Sequence, residues 1–326
     1  MPDIICLGEV IVDLVAMDRD TGLKDTRGFF KFPGGATANV AVGISRLGGK
    51  SGFLGAVSDD PFGEFLRKSL DDEGVDTSRM RSRHGEHTVF GFIGVKSDQS
   101  KEVIFYRQPH AEMFLSPGEL DPEYFDGARI FHFGIICLRT DQKFETTMKC
   151  LEFARNRNLP VSLDTNYRPH AWPSAAFALE RLRKILPMVT VFKIAEEEWP
   201  LLFGGEPDDQ EIRDILETGV RVVIISRGPR GATVITPSYR ETIPGFAIPA
   251  AETTGAGDAF TACCLERLAG FDNPGSGIQQ LEPGGWREII RKANAAGALT
   301  CMKPGAIPAL PTKSELDRFL ESKSRE

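Results

Sequence analysis

The segment with the most chemistry in it is Glu252-Thr253-Thr254-Gly255-Ala256-Gly257-Asp258-Ala259-Phe260, which runs into an apolar stretch from Thr261 to Leu268. Gly255, Ala256 and Gly257 let the backbone turn tightly and leave amide N–H groups unobstructed where a helix begins. Such amides, with the helix dipole behind them, form a hole for an anion. Asp258 lies just inside that turn. An acid in a first helical turn is common simply as a partner of the dipole. Beside a glycine-lined anion hole, the same carboxylate can take a proton from an attacking hydroxyl. Competing glycine motifs fail. A dinucleotide fingerprint needs a third glycine where the chain has Phe260, and it needs an early strand–turn–helix setting. A phosphate loop ending in Gly49-Lys50-Ser51 would need its first glycine at position 44, but the chain has Gly43 and Ile44. That segment also follows a helical pattern and precedes a strand, the reverse of the required order.

Elements that could position this turn alternate along the chain, which argues for a mostly parallel sheet covered by helices. Ile4 to Leu7, Gly52 to Val57, Arg129 to Phe133, Val161 to Leu163, Val189 to Phe192 and Val222 to Ile225 read as strands. Ala36 to Leu47, Pro61 to Leu70, Lys143 to Arg155, Ala175 to Leu186 and Ile212 to Leu216 read as helices between them, and Gly257 to Leu268 with Trp286 to Cys301 close the series. Two stretches break the alternation: Ile11 to Met17 with Phe29 to Phe32, and Thr88 to Val95 with Glu102 to Tyr106, pattern as paired antiparallel strands. Inserted into an α/β domain, they suggest a small sheet acting as a lid over residues' worth of about 11–33 and 87–107, or else an edge extension of the main sheet. No Pro/Ser-rich linker divides residues 1–326, so one domain with an inserted lid is expected.

Composition narrows the class. Apolar residues make up 41% and charged residues 26%, which is ordinary for a globular chain. A formal net charge of −7, with no run of Lys or Arg longer than two, argues against a nucleic-acid partner, which needs a phosphate-neutralising face. Cys6, Cys137, Cys150, Cys263, Cys264 and Cys301 form no Cys-x-x-Cys pair and the histidines no His-x-x-x-His, so neither zinc nor a disulfide framework is expected, and a reduced cytoplasmic protein is the natural reading. The opening MPDIICLGEVIVDL carries Asp3 and Glu9 and lacks a basic region, so it reads as a strand and not a signal peptide; no segment approaches the ~20 apolar residues that span a bilayer.

Two motifs in order give the chain a clear resemblance. Pro33-Gly34-Gly35-Ala36-Thr37-Ala38-Asn39-Val40-Ala41, followed by Leu47-Gly48-Gly49 and Gly55-Ala56-Val57-Ser58-Asp59-Asp60-Pro61-Phe62-Gly63, resembles one signature of the ribokinase-like (PfkB-type) carbohydrate kinases. Thr253 to Phe260 resembles the other, and the likeness runs from Ile4 to about Pro311. It implies a three-layer α/β/α ribokinase-like fold with a β-sheet lid, and ATP-dependent transfer of a phosphoryl group to a sugar hydroxyl, with Mg²⁺. Asp258 is then the catalytic base, and Gly255, Ala256 and Gly257 build the anion hole.

The resemblance also distributes binding roles. Asp13, a charge within the apolar run Ile11 to Val15 that needs a polar partner, would hold the sugar with Gly34, Gly35 and Asn39. Phe105-Tyr106-Arg107 and Asn166-Tyr167-Arg168 are similar to segments of fructokinases, and also fit 2-keto-3-deoxygluconate kinases, where arginines suit a carboxylate. Fructose is the expected sugar, on the look of Phe105 to Leu115 and Phe131-His132-Phe133-Gly134. Lys193, the turn Ser226-Arg227-Gly228-Pro229-Arg230-Gly231, and Asn294 would line the ATP site, with Glu198 reaching Mg²⁺ through water. Ala195 departs from the family's usual Asn. Glu252 stands where an Asp often helps bind K⁺, keeping the charge and adding one methylene. Apolar residues on both lid faces imply a homodimer formed through the lid. The alternatives are a related kinase of the same fold acting on a nucleoside or sugar phosphate, a nicotinamide oxidoreductase, against which stands Phe260, and a catalytically idle sugar sensor, against which stands the intact turn with Asp258.

Overall fold

The computed structural model describes residues 1–18, 20–96, 101–106 and 114–324. Its strands are β1 (Ile4–Leu7), β2 (Ile11–Ala16), β3 (Phe29–Gly34), β4 (Ser51–Leu54), β5 (Ala56–Ser58), β6 (Arg81–Arg83), β7 (Phe90–Val95), β8 (Lys101–Tyr106), β9 (Ile130–Gly134), β10 (Val161–Asp164), β11 (Val191–Ala195), β12 (Val222–Ser226), β13 (Ala232–Thr236) and β14 (Tyr239–Ile243). Its helices are α1 (Gly22–Asp25), α2 (Ala36–Arg46), α3 (Pro61–Asp72), α4 (Asp141–Asn156), α5 (Ala175–Ile185), α6 (Trp199–Phe203), α7 (Asp209–Glu217), α8 (Ala256–Ala269), α9 (Pro274–Gln280), α10 (Pro283–Cys301) and α11 (Lys313–Lys323).

Eight strands form the central sheet in the order β14-β13-β12-β11-β10-β9-β1-β4, parallel from β12 to β4 and antiparallel at the β13–β14 edge. Each short parallel strand is buried on both faces, and its alternating side chains divide between two cores. In β1, Ile4 and Cys6 pack into a core with Val40, Ile44, Leu265 and Ile290 from α2, α8 and α10. Ile5 and Leu7 pack into the opposite core with Leu151, Leu182 and Trp199 from α4, α5 and α6. A strand one register off would exchange these sets, so the apolar pattern fixes the layers. The result is three layers, α/β/α.

A second sheet, β3-β2-β7-β8, stands apart from the first. Its two antiparallel pairs, β2–β3 and β7–β8, join through parallel pairing of β2 with β7. The chain leaves the main sheet after β1, crosses Gly8–Val10 into β2, and returns from β3 through Gly34 and Gly35 into α2.

Three departures from the sequence reading have identifiable causes. Gly52 to Val57 is not one strand: it breaks at Gly55, where a Cβ would lie 2.5 Å from the Phe53 ring and 2.8 Å from the Gly8 carbonyl oxygen, and β5 turns away to pair with β6. The strand expected at Val189 begins instead at Val191, after a 3₁₀ turn over Leu186–Met188. Two long helices do not close the chain, because α9 lies between them and α11 follows. The cue for α11 is Thr312, whose hydroxyl caps the helix while Glu315 accepts back from the Thr312 N–H at 2.8 Å.

Candidate active site

A cavity of about 1080 Å³ opens between the lid and the C-terminal ends of the central strands. α8 points its N-terminus into it. Gly255 caps that helix at φ +80°, a left-handed conformation that suits glycine, and a Cβ there would meet the Ala306 backbone at 3.1 Å. No side chain caps the helix, so its first amides keep the capacity to bind an anion. One expectation needs adjusting: the Ala256 N–H bends back to the Thr253 carbonyl at 3.3 Å, which leaves Gly257 and Asp258 as the better-placed donors.

Asp258 is 6% exposed, and two amide side chains hold its carboxylate. Asn39 donates to Oδ2 at 2.8 Å from the first turn of α2, and Asn166 approaches Oδ1 at 3.4 Å from the loop after β10. Asn166 reaches it from a left-handed backbone, φ +36°. Burial pushes the Asp258 carboxyl up to about 6; the Asn39 hydrogen bond opposes this, the Asp164 carboxylate adds to it, and the charges of Lys193 and Arg168 oppose it. A carboxylate so placed is ionised near neutrality yet basic enough to take a hydroxyl proton. Asn39 is buried, and its Oδ1 has no hydrogen-bond partner among the described residues. A buried acceptor in that condition costs free energy until a donor arrives.

The lid contributes Asp13 from the cavity face of β2, close to Gly34 and Gly91. A Cβ at Gly34 would fall 2.0 Å from Asp13 Oδ2, and one at Gly91 2.9 Å from Oδ1. Gly35 lines the cavity at φ +109° with the Glu9 carbonyl pressed against it. Phe105 closes the lid side by stacking on His170 at 5.6 Å and 16°. Arg107 lies outside the described residues.

On the strand ends, Lys193 is buried against Asp164 at 2.9 Å. Burial alone would lower its pKa, but the carboxylates of Asp164 and Glu198 more than offset that and raise it. Arg168 donates to Glu198 Oε1 at 2.8 Å, and Glu198 Oε2 accepts from the Thr165 hydroxyl at 2.6 Å. At the far end, Ser226, Gly228 and Gly231 line a slot with Phe246 and Ile248. Gly231 sits at φ +92°, where a Cβ would collide with the Ile243 carbonyl. Asn294 fastens that wall by donating to the Ile243 and Pro244 carbonyls, each at 3.1 Å. Glu252, 4% exposed, accepts from the Gly305 N–H at 2.9 Å and from the Thr254 hydroxyl, tying the turn before α8 to the loop after α10.

Gly255, Gly257, Asp258, Asp13, Asn39, Asn166, Arg168, Lys193, Glu198 and Asn294 thus all reach one cavity, whereas Glu252 and Gly34 stand just behind its lining. Asp164, Thr165, Thr261 and His170 went unnoticed in the sequence. His170 and Asp164 had a weak cue in their closeness to Arg168 and Asn166, and Thr261 in its closeness to Asp258; the contact of Asp164 with Thr261 had none, because 97 residues separate them.

Residues 1–313 match the family described as "pfkB family carbohydrate kinase". The chain is 38% identical over 321 residues to "Probable fructokinase-6, chloroplastic" of Arabidopsis thaliana, covering 98% of this chain and 82% of that protein. A crystal structure of fructokinase with bound ATP from Xylella fastidiosa superposes with a TM-score of 0.89 at 26% identity, covering 99% of this chain and 100% of that one. A fructokinase double mutant from Vibrio cholerae O395, in fructose, ADP and potassium ion bound form, superposes with a TM-score of 0.84 at 28% identity, covering 98% of both chains.

Proposed function

The chain belongs to the pfkB family of carbohydrate kinases and has their ribokinase-like fold, and from that premise we propose that this ATP-dependent sugar kinase acts on fructose. The observation that carries the reading is the pairing of Asn39 with Asp258. One end of the Asn39 amide orients the base, while the other presents a buried acceptor to whatever enters. A sugar hydroxyl donating to Asn39 Oδ1 would lie beside the carboxylate that takes its neighbour's proton. Asp13 and the Gly34-Gly35 backbone would hold the remaining hydroxyls, with Phe105 and Asn166 around them.

In the transfer step a primary hydroxyl oxygen of the ketohexose forms a bond to the γ-phosphorus of ATP as the bond to the ADP oxygen breaks. Asp258 takes the hydroxyl proton, and the amides of Gly257 and Asp258 stabilise the charge on the phosphoryl oxygens, an effect on the order of 10²–10³ in rate. Ser226, Gly228, Gly231 and Asn294 would border the nucleotide, and closure of the lid segments 11–33 and 87–107 over the single kinase domain would exclude water. Among the described residues no three or more His, Cys, Asp or Glu side chains cluster as a metal cage. That suits Mg²⁺, which binds through one or two carboxylates and substrate phosphates; Glu198 at the cavity wall would hold it through water, and the ion would neutralise phosphate charge.

Neutral fructose is favoured over a sugar acid because both cations that line the cavity in the described residues are already matched, Lys193 by Asp164 and Arg168 by Glu198. We expect kcat/KM for fructose to exceed that for 2-keto-3-deoxygluconate by at least about tenfold. Arg168→Ala should raise KM for the sugar and leave KM for ATP unchanged. A coupled ATPase assay with both acceptors checks this, and the reverse preference would hand the site to the sugar acid.

Glu252 supports a K⁺ site beside the anion hole, because its buried carboxylate braces the very turn whose amides meet the phosphoryl group. At constant ionic strength, K⁺ should raise kcat more than Na⁺ does, with less effect on sugar KM, and Glu252→Gln should weaken the difference. Equal rates in K⁺, Na⁺ and a bulky organic cation would remove the cation and leave the kinase standing.

A homodimer through the lid is supported by Phe30, Ile104 and Tyr106, which are 51%, 46% and 64% exposed on lid strands. Sedimentation at micromolar concentration should give the mass of two chains. Cys6, Cys137, Cys150, Cys263 and Cys264 are buried, packed as the small apolar side chains of a reduced protein are, which supports a reducing compartment such as the cytoplasm.

A further inference from the structure

Asp164 ends β10 at 4% exposure, and the transfer step above gives it no part beyond balancing the Lys193 charge. Beside a bond from the Asn166 N–H to Oδ1 at 3.3 Å, its carboxylate accepts three more from two buried donors: Lys193 Nζ at 3.1 Å to Oδ1 and 2.9 Å to Oδ2, and Thr261 Oγ1 at 2.8 Å to Oδ2. Both donors lead to the anion hole. Thr261 lies on α8 three residues after Asp258, and residues so spaced are neighbours on one side of a helix. The Lys193 ammonium sits beneath the turn, where a Cβ on Gly257 would meet Nζ at 3.2 Å.

Stability alone gives little reason for the arrangement. A buried ion pair seldom outperforms apolar side chains of the same volume, because desolvation consumes its Coulombic gain. What it does supply is direction, since a carboxylate with four hydrogen bonds permits one arrangement of its donors. We propose that Asp164 is a positioning residue for phosphoryl transfer, holding the Lys193 ammonium and the start of α8 together so that Asp258 and the anion-hole amides keep one geometry against the central sheet.

The proposal rests on Asp258 acting as the base, and it has an electrostatic corollary. Asp258 is faced by Asp164 from β10, Lys193 from β11, Arg168 from the loop after β10, and the amides of Asn39 and Asn166; Glu9, Asp13, Glu197 and Glu198 line the same cavity. The Asp164 charge makes the Asp258 carboxyl harder to ionise, and Lys193 makes it easier. Removing the Asp164 charge withdraws the first influence and leaves Lys193 less neutralised. Both changes act in one direction, towards a more acidic Asp258.

The test uses the full-length enzyme with saturating MgATP and varied fructose, followed from acid to neutral pH. Asp164→Asn should move the acid limb of kcat/KM down by about one pH unit and lower kcat roughly 10–100-fold. Thr261→Val should lower kcat without raising KM for either substrate, and Thr261→Ser, which keeps the hydroxyl, should restore it. A folded Asp164→Asn enzyme with the wild-type limb and kcat overturns the proposal. So does a Thr261→Val enzyme equal to Thr261→Ser, the deciding comparison if Asp164→Asn does not fold. Near-wild-type kcat in Asp258→Asn would bring down the base reading and this proposal with it. An inactive Asp258→Asn beside an unaffected Asp164→Asn brings down only the proposal.

Discussion

Asp258→Asn is expected to fold, to bind MgATP, and to lose roughly 10²–10⁴ in kcat. The substitution keeps the shape of the side chain, removes its capacity to accept a proton and exchanges one acceptor oxygen for an amide donor, which Asn39 can meet by turning its unpartnered Oδ1 towards it. Stability should not fall with activity. The ordinary carboxyl value of 3.8 is raised by burial to about 6 in the folded chain, so folding favours the protonated form. Ionisation therefore costs stability as pH rises from 3.8 to about 6, and the whole cost is present at neutral pH. A neutral Asn escapes it, and at pH 7 the variant should melt at or above the wild-type temperature. In the wild-type enzyme the same value puts an acid limb near pH 6: activity should climb as Asp258 loses its proton and level off above. Stopped-time product assays and thermal melts measure both quantities, and a variant that keeps near-full kcat removes Asp258 from the chemistry.

Gly35→Ala should be the most damaging single-methyl change in the sugar region. At φ +109° the residue occupies a backbone conformation that L side chains rarely adopt. Its Cβ would also fall 2.4 Å from the Glu9 carbonyl oxygen and 3.2 Å from Val10 Cα. Both obstacles are main chain, in the Gly8–Val10 crossing between the two sheets, so no rotamer change relieves them. Strain and overpacking together cost about 2–5 kcal/mol, and the melting temperature should drop by roughly 5–10 °C. The displaced start of α2 carries Asn39, so kcat/KM for fructose should fall on the order of 100-fold. Gly118→Ala, with nothing within 4 Å of its Cβ, is the silent control. Wild-type kinetics in Gly35→Ala would show that this approach does not shape the sugar site.

What the sequence disclosed depended on whether the cause was local. The turn at Gly255–Asp258 was legible because glycine spacing, an acid and a following apolar helix lie within a dozen residues. The layers were legible because β1 is apolar throughout, which only a doubly covered strand tolerates. Causes that act through space were hidden. The break at Gly55 comes from the Gly8 carbonyl, and the Asp164–Thr261 contact joins a strand to a helix that nothing in either segment announces. The β13–β14 hairpin was missed for another reason: β14 is half-exposed at the sheet edge, and Tyr239–Ile243 alternates in burial as an ordinary loop-flanking segment might. Asn39 and Asp258 each stood out in their own segment, but their contact did not, since it spans the chain.

That separation reaches back to synthesis. Asn39 and its partner Asp258 lie 219 residues apart, so at roughly 5–20 residues per second the ribosome needs about 10–40 s after making one to deliver the other. Through that interval α2 has no α8 to cover it, although Gly43 is shaped to receive Ala262 so closely that an added Cβ would stand 2.7 Å from it. Val40 and Ile44, buried in the finished protein, meanwhile face water or a chaperone. A chain interrupted before position 256 is therefore an aggregation hazard that holds the residues assigned to the sugar and has no base. Phosphoryl transfer cannot begin on the nascent polypeptide, and quality control has a sharp criterion to act on: the apolar side of one N-terminal helix, hidden only when translation has passed the catalytic residue.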